Sequence, residues 1–242
     1  MGSTDKRLPD ARRASDVEGF LRKLAAVPAR AQDGRGRLLF AIDATASRQP
    51  TWDRACGLQG EMFRVTGELG GLEVQLAYYR GFAEFRATGW IADADPLVRA
   101  MTGVACQGGQ TQIARVLGHA QAETDRRKVA ALVFVGDCME EDPDLLCRLA
   151  GELGLKGTPV FVFHEGGEAL AGATFRQIAR VSGGAYCPFD SSSARQLRDL
   201  LRAVAVYAAG GRTALEHHAR KSGAAAAGML EQVRLLGAPR RG

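Results

Sequence analysis

The chain has 242 residues, 46% hydrophobic and 24% charged, with a mean hydropathy of −0.13. That composition supports a sizeable core and excludes wholesale disorder. No apolar run approaches the ~18–20 residues of a membrane span, and MGSTDKRLPDARRASD at the N-terminus is too polar for a signal peptide, so a cytoplasmic location with no membrane partner is expected. The net charge of +5 sits at the two ends of the chain. Residues 1–36 carry 8 Lys+Arg against 5 Asp+Glu and residues 211–242 carry 6 against 2, whereas 37–210 carry 18 against 20. Neither basic end interleaves aromatics for base stacking, which argues against nucleic acid as a partner. The five cysteines, Cys56, Cys106, Cys138, Cys147 and Cys187, are odd in number and lack C-x2-C or C-x4-C spacing. They are expected to be buried thiols in a reducing compartment rather than zinc ligands.

In chain order, Val17, Phe20, Leu21, Leu24 and Val27 recur at helical spacing, with Ser15 or Asp16 placed to cap the start. Pro28 and the stretch AQDGRGR end this helix and form a linker. The helix is expected to pack on its own domain rather than on a partner. LLFAI (38–42) is an apolar run ending at Asp43, the pattern of a strand buried on both faces. Residues 52–66 read as a helix. Leu72, Val74, Leu76 and Tyr78 alternate with period two, and Arg80-Gly81 turns the chain into a second short strand within 82–90.

Residues 94–103 read as helix, and the loop CQGGQ precedes a further helix marked by Ile113, Val116, Leu117 and Ala120. VAALVFV (129–135) is a second fully apolar strand, ending just before Asp137, and PVFVF (159–163) is a third. Between and after them lie helices at 145–155 and around Phe175, Ile178 and Ala179, a short strand at 185–188, and a final helix through Leu197, Leu200, Leu201 and Val204. Gly210-Gly211 then leads into a C-terminal helical extension.

Buried strands separated by amphipathic helices imply an α/β fold: a Rossmann-like, doubly wound, mostly parallel six-stranded sheet with one short antiparallel edge strand, helices on both faces and terminal helical extensions. The organisation is read as an N-terminal helix and linker (1–36), the α/β domain (37–210) and a C-terminal extension (211–242). In such sheets ligands collect beyond the C-terminal strand ends, where Asp43 and Asp137 are expected.

The first strand runs into Asp43-Ala44-Thr45-Ala46-Ser47, which places three oxygen-bearing side chains at i, i+2 and i+4 with small alanines between them. A tight loop with that spacing aims all three at one spot, and hydroxyls plus a carboxylate are hard donors suited to Mg²⁺ or Mn²⁺ rather than zinc. Two further placements accompany it: Thr111 follows Gly108-Gly109-Gln110 at a helix start, and Asp137 ends the apolar strand in VFVGD.

With these pieces the sequence resembles the von Willebrand factor A domain family and its metal-ion-dependent adhesion site, over about residues 37–208. The family pattern is D-x-S-x-S after the first strand, a Thr before a middle helix and an Asp after the fourth strand. Asp43, Thr45, Ser47, Thr111 and Asp137 match it position by position. Thr45 stands where Ser is more usual, and Gly136 and Cys138 flank Asp137 where the family often has Thr and Gly.

The resemblance implies a cytoplasmic, bacterial-type module holding Mg²⁺, with Mn²⁺ or Ca²⁺ as alternatives. The hydroxyls of Thr45 and Ser47 would bind directly, Thr111 directly or through water, and Asp43 and Asp137 mostly through water. Such a cation keeps an affinity for one more anionic oxygen, which a protein partner supplies from an Asp or Glu. Glu140, Glu141, Asp142 and Asp144 line the same rim; the simplest reading of them is a solvated loop capping the next helix.

No enzyme is expected. A phosphatase of the haloacid-dehalogenase type needs an acid/base Asp at position 45, which is Thr. The phosphate-binding and nucleophile-elbow motifs are missing from the sequence, and the four histidines read as surface or satisfied groups. The competing interpretation is a structural interaction module with a vestigial site, docking through Phe20/Leu24 or Leu230/Val233; a metal-dependent phosphatase is third.

Overall fold

The computed structural model describes residues 19–24, 35–48, 72–189, 199 and 203–209. Ten elements follow in order: β1 (Gly36–Asp43), β2 (Leu72–Arg80), β3 (Glu84–Ala87), α1 (Ala94–Thr102), α2 (Ile113–Arg126), β4 (Ala131–Gly136), α3 (Pro143–Leu155), β5 (Val160–Glu165), α4 (Ala169–Val181) and β6 (Tyr186–Phe189). Residues 19–24 and 203–209 are also helical. The strands form one sheet in the order β3-β2-β1-β4-β5-β6, parallel throughout except for the antiparallel edge strand β3. This is the six-stranded α/β architecture expected from the sequence.

Alternate residues of the central strands enter opposite cores. Leu38, Phe40 and Ile42 of β1 pack with Val133, Phe161 and Phe163, beneath α1 and the helical residues 19–24 and 203–209. Leu39 and Ala41 face the other way, with Tyr79, Leu132, Phe134 and Val162 beneath α2, α3 and α4. Two buried faces explain why these strands read as continuous apolar runs. At the end of the sheet remote from the strand C-termini, the Arg37 guanidinium lies 3.6 Å over the Trp90 ring, and both bond Glu123 of α2, at 3.0 and 2.7 Å.

The chain lays β2 on one side of β1 and β4 on the other, so the strand order reverses beside β1. In open α/β sheets ligands bind at such a switch point, outside the C-terminal ends of the strands, here those of β1 and β4. Asp43 is the last residue of β1, and Asp137 directly follows β4.

Some boundaries differ from the sequence reading. β5 continues through His164 and Glu165 because both are buried in the sheet rather than released to solvent. The alternative in which Phe20 and Leu24 dock a partner is corrected. Both are almost fully buried, and the Phe20 ring lies 5.7 and 5.3 Å from those of Phe161 and Phe163, so this face is spent on the chain's own core. The helix read at 52–66, the extension at 211–242 with Leu230 and Val233, and Cys56, His217 and His218 lie outside the described residues.

Truncating Phe20 leaves a cavity against two rings of the central sheet. Phe20→Ala is therefore expected to lower the unfolding free energy by about 3–5 kcal/mol in urea denaturation. A loss below about 1 kcal/mol would show that residues 19–24 are not part of the core.

Candidate functional site

The β1 end is built around a hidden carboxylate. Asp43 is fully buried. Sheet register sets it beside Tyr79 of β2, whose hydroxyl donates to Oδ2 at 2.9 Å, while the Thr45 amide donates to Oδ1 at 2.8 Å. Burial pushes the Asp43 carboxyl above its ordinary range, the bonds from Thr45 and Tyr79 pull it back, and the neighbouring charge of Asp137 raises it further. Tyr79 is held well above the usual phenol range by its burial and then by the Asp43 charge.

Past Asp43 the chain curls through a single 3-10 turn, Ala46–Arg48. This brings the Thr45 hydroxyl within 3.1 Å of the Ser47 hydroxyl, one buried and the other exposed. Arg48 closes the turn from inside. Its guanidinium is buried, donates to the Asp43 carbonyl at 2.8 Å and pairs with Glu165 at the end of β5, at 3.0 and 2.9 Å. One ion pair thus ties the oxygen-rich loop to a strand two places away in the sheet.

The loop before α2 docks alongside. Gln107 bridges Thr45 and donates its amide to the Ala44 carbonyl at 3.0 Å. Gly109 lies on the β2–β3 turn so closely that a Cβ there would fall 2.0 Å from the Gly81 carbonyl oxygen. That packing accounts for Gly109, the second of the two glycines preceding Thr111. Thr111 is buried, and its hydroxyl donates to Glu141 at 2.7 Å and accepts from the Glu140 amide at 2.9 Å.

At the β4 end, Gly136 leaves room for the strand tip: an added Cβ would come 2.8 Å from the Phe134 ring and 3.6 Å from the Asp43 Cβ. Asp137 follows, and its Oδ1 is buried with no hydrogen-bond partner among the described residues. Its carbonyl accepts from His164 Nε2 at 3.0 Å, which leaves Nδ1 to accept from the Tyr186 hydroxyl at 2.9 Å. Burial holds the His164 imidazole below its ordinary pKa, so this ring is a satisfied structural group. The half-buried Cys138 thiol is pushed up to about 12 by burial and the charges of Asp137 and Asp43. It is a poor nucleophile at neutral pH.

Asp43, Thr45, Ser47 and Asp137 therefore meet at the switch point, and the Thr111 loop is bonded to the same turn. Among the described residues no group of three or more His, Cys, Asp or Glu could hold a metal, so a cation here would depend on Thr and Ser hydroxyls. The donors are all hard oxygens, and the unpartnered Asp137 Oδ1 lies beside a second carboxylate whose ionisation it opposes. This set fits a hard divalent cation, which would supply the missing partner and offset the repulsion.

Several of these contributors were not singled out from the sequence. Tyr79 carried a signal, since period-two alternation puts it in β2, but only the register puts it opposite Asp43. Arg48 and Glu165 are 117 positions apart, with no local pattern to join them. The acidic run divides. Asp142 caps α3 through the Asp144 amide, as read from the sequence, whereas Glu140 and Glu141 turn back onto the start of α2. Of the cysteines, Cys187 is buried as expected, while Cys106, Cys138 and Cys147 are only partly so.

No family model matches the sequence, and no curated protein matches it. Solved structures do. A von Willebrand factor type A protein from Catenulispora acidiphila superposes with a TM-score of 0.57 at 18% identity, over 71% of this chain and 43% of its own. The SpRpn10 VWA (von Willebrand factor A) domain gives 0.56 at 13%, over 74% and 97%. Proximal thread matrix protein 1 from the mussel byssus, with a zinc-occupied MIDAS motif, gives 0.57 at 16%, over 71% and 46%. This chain thus matches less than half the length of the first and third. The likeness is one of fold: the six-stranded α/β domain has the von Willebrand factor A fold.

Replacing Arg48 by Met strands the buried Glu165 carboxylate. The expected cost is about 3–5 kcal/mol of unfolding free energy, largely recovered when Glu165→Leu is added. Asp43→Asn should act the opposite way. An acid whose folded pKa is raised binds more protons folded than unfolded, so its ionisation costs stability as pH rises through that pKa. In EDTA, Asp43→Asn is therefore expected to be more stable than the parent chain at pH 7, the difference shrinking toward pH 4 in urea denaturation. A gain independent of pH would mean that the Asp43 charge is not its source.

Proposed function

We propose that this chain is a protein-binding adaptor or assembly module whose contact runs through a divalent cation, Mg²⁺ in the first instance, at the β1–β4 switch point. The observation that carries the proposal is the buried Asp137 Oδ1, without a hydrogen-bond partner among the described residues, near the buried Asp43, which itself bonds the Thr45 amide of the Thr45–Ser47 hydroxyl pair. Thr45, Ser47 and Thr111 would offer hydroxyl oxygens, with Asp43 and Asp137 supplying the negative charge. When bound, the cation would supply an electrophilic centre able to accept an Asp or Glu carboxylate from the partner.

The chain's own residues do the rest. Tyr79 and the Thr45 amide hold the Asp43 carboxylate still, Arg48 fixes the turn that carries both hydroxyls, and His164 anchors the Asp137 backbone. Binding without turnover is the favoured reading because position 45 is Thr where a phosphatase needs a second acid, and the adjacent Cys138 thiol stays protonated. No described helix is long and apolar enough to cross a membrane; a cytoplasmic setting belongs to this proposal.

Cation binding to the folded state alone raises stability by about 2.7 kcal/mol at a hundredfold excess over Kd. Mg²⁺ or Mn²⁺ is thus expected to raise the Tm by about 5–10 °C over EDTA, and Asp43→Ala to abolish the rise. In lysate capture, partner recovery should need Mg²⁺ and be lost in Asp43→Ala. Equal recovery in Mg²⁺ and EDTA would refute the metal bridge.

A further inference from the structure

The start of α2 is capped from a distance. Its N-cap residue, Gln112, makes no side-chain cap bond. The acidic loop after β4 supplies the acceptors instead: Glu140 takes the Thr111 amide at 3.0 Å, and Glu141 takes the Ala114 amide at 2.9 Å through Oε1 and the Thr111 hydroxyl at 2.7 Å through Oε2. Capping accounts for the two amides. It does not account for the hydroxyl, whose proton is spent on a carboxylate at a distance typical of charge-assisted bonds.

A hydroxyl has one proton and two lone pairs. At Thr111 the proton goes to Glu141, and one lone pair accepts the Glu140 amide at 2.9 Å. One lone pair is left. The charge of the same carboxylate is also felt at the Tyr79 phenol, the partner of Asp43.

We propose that Glu141 is a positioning residue for the cation: by taking the Thr111 proton it fixes the hydroxyl rotor, leaves one lone pair for a metal and makes that oxygen a stronger donor. Glu140 assists by pinning the rotor through its amide. The inference rests on the metal-site reading above and goes beyond it, since the acidic pair becomes part of the site's support and not a bystander rim. Partners that hold metal ligands in place commonly change metal affinity 10–100-fold when removed.

The test is Mn²⁺ binding to the full chain, read from the free-ion EPR signal, for the parent chain, Glu141→Gln, Thr111→Val, Thr111→Ser, the Glu141→Gln/Thr111→Val double variant and Asp43→Asn. Glu141→Gln and Thr111→Val should each weaken Mn²⁺ by at least tenfold, and Thr111→Ser should bind like the parent chain. The double variant should bind no worse than Thr111→Val alone, because Glu141 acts through the hydroxyl. A cap with no role toward the metal predicts otherwise: Glu141→Gln within twofold of the parent chain, or additive losses in the double variant. Either result overturns the inference while Asp43→Asn, by failing to bind, upholds the site. If Asp43→Asn binds Mn²⁺ as tightly as the parent chain, the site reading falls and this inference with it.

Discussion

A carboxylate buried at the tip of a central strand, with neither oxygen bonded to a cationic side chain among the described residues, sets the conditions for everything around it. Asp43 is held by a phenol and a backbone amide, enough to keep it in place and too little to neutralise it. Asp137 beside it has a buried oxygen with no hydrogen-bond partner among the described residues. Folding energy alone would favour apolar residues at both positions. Such a concentration of uncompensated negative charge is typical of a place where stability is given up for binding.

The surrounding architecture keeps that arrangement from relaxing. Arg48 reaches the Asp43 carbonyl and Glu165 from inside the turn, so the hydroxyl-bearing loop is fixed to β5 as well as to β1. Buried pairs of this kind contribute little net stability, because desolvation offsets their attraction. Their geometric effect is what matters here: the turn that carries Thr45 and Ser47 is fixed from inside the protein, which would reduce the entropy lost if the proposed cation binds.

The fold was legible because both faces of the sheet are covered. Apolar runs at 38–42, 129–135 and 159–163 can satisfy only buried parallel strands, and the helical spacings between them allow little besides crossovers. The loop bearing Asp43, Thr45 and Ser47 was legible for a related reason, since all three lie within one turn and are positioned by local geometry. Whatever depends on distant segments was not. Nothing local marks Arg48 as buried or pairs it with Glu165, and the run Glu140–Asp144 reads equally as a solvated rim. Only the packing of α2 against the β4 loop separates Glu140 and Glu141 from Asp142, which does cap the following helix.

The thiol of Cys138 carries one more implication. The thiolate is the species that attacks peroxides and disulfides, and burial with the charges of Asp137 and Asp43 holds the Cys138 thiol up at about 12, largely protonated at neutral pH. The residue adjoining Asp137 is consequently a weak nucleophile, although it is only half-buried. The negative charge that would draw a cation to this end of the sheet also disfavours the thiolate beside it.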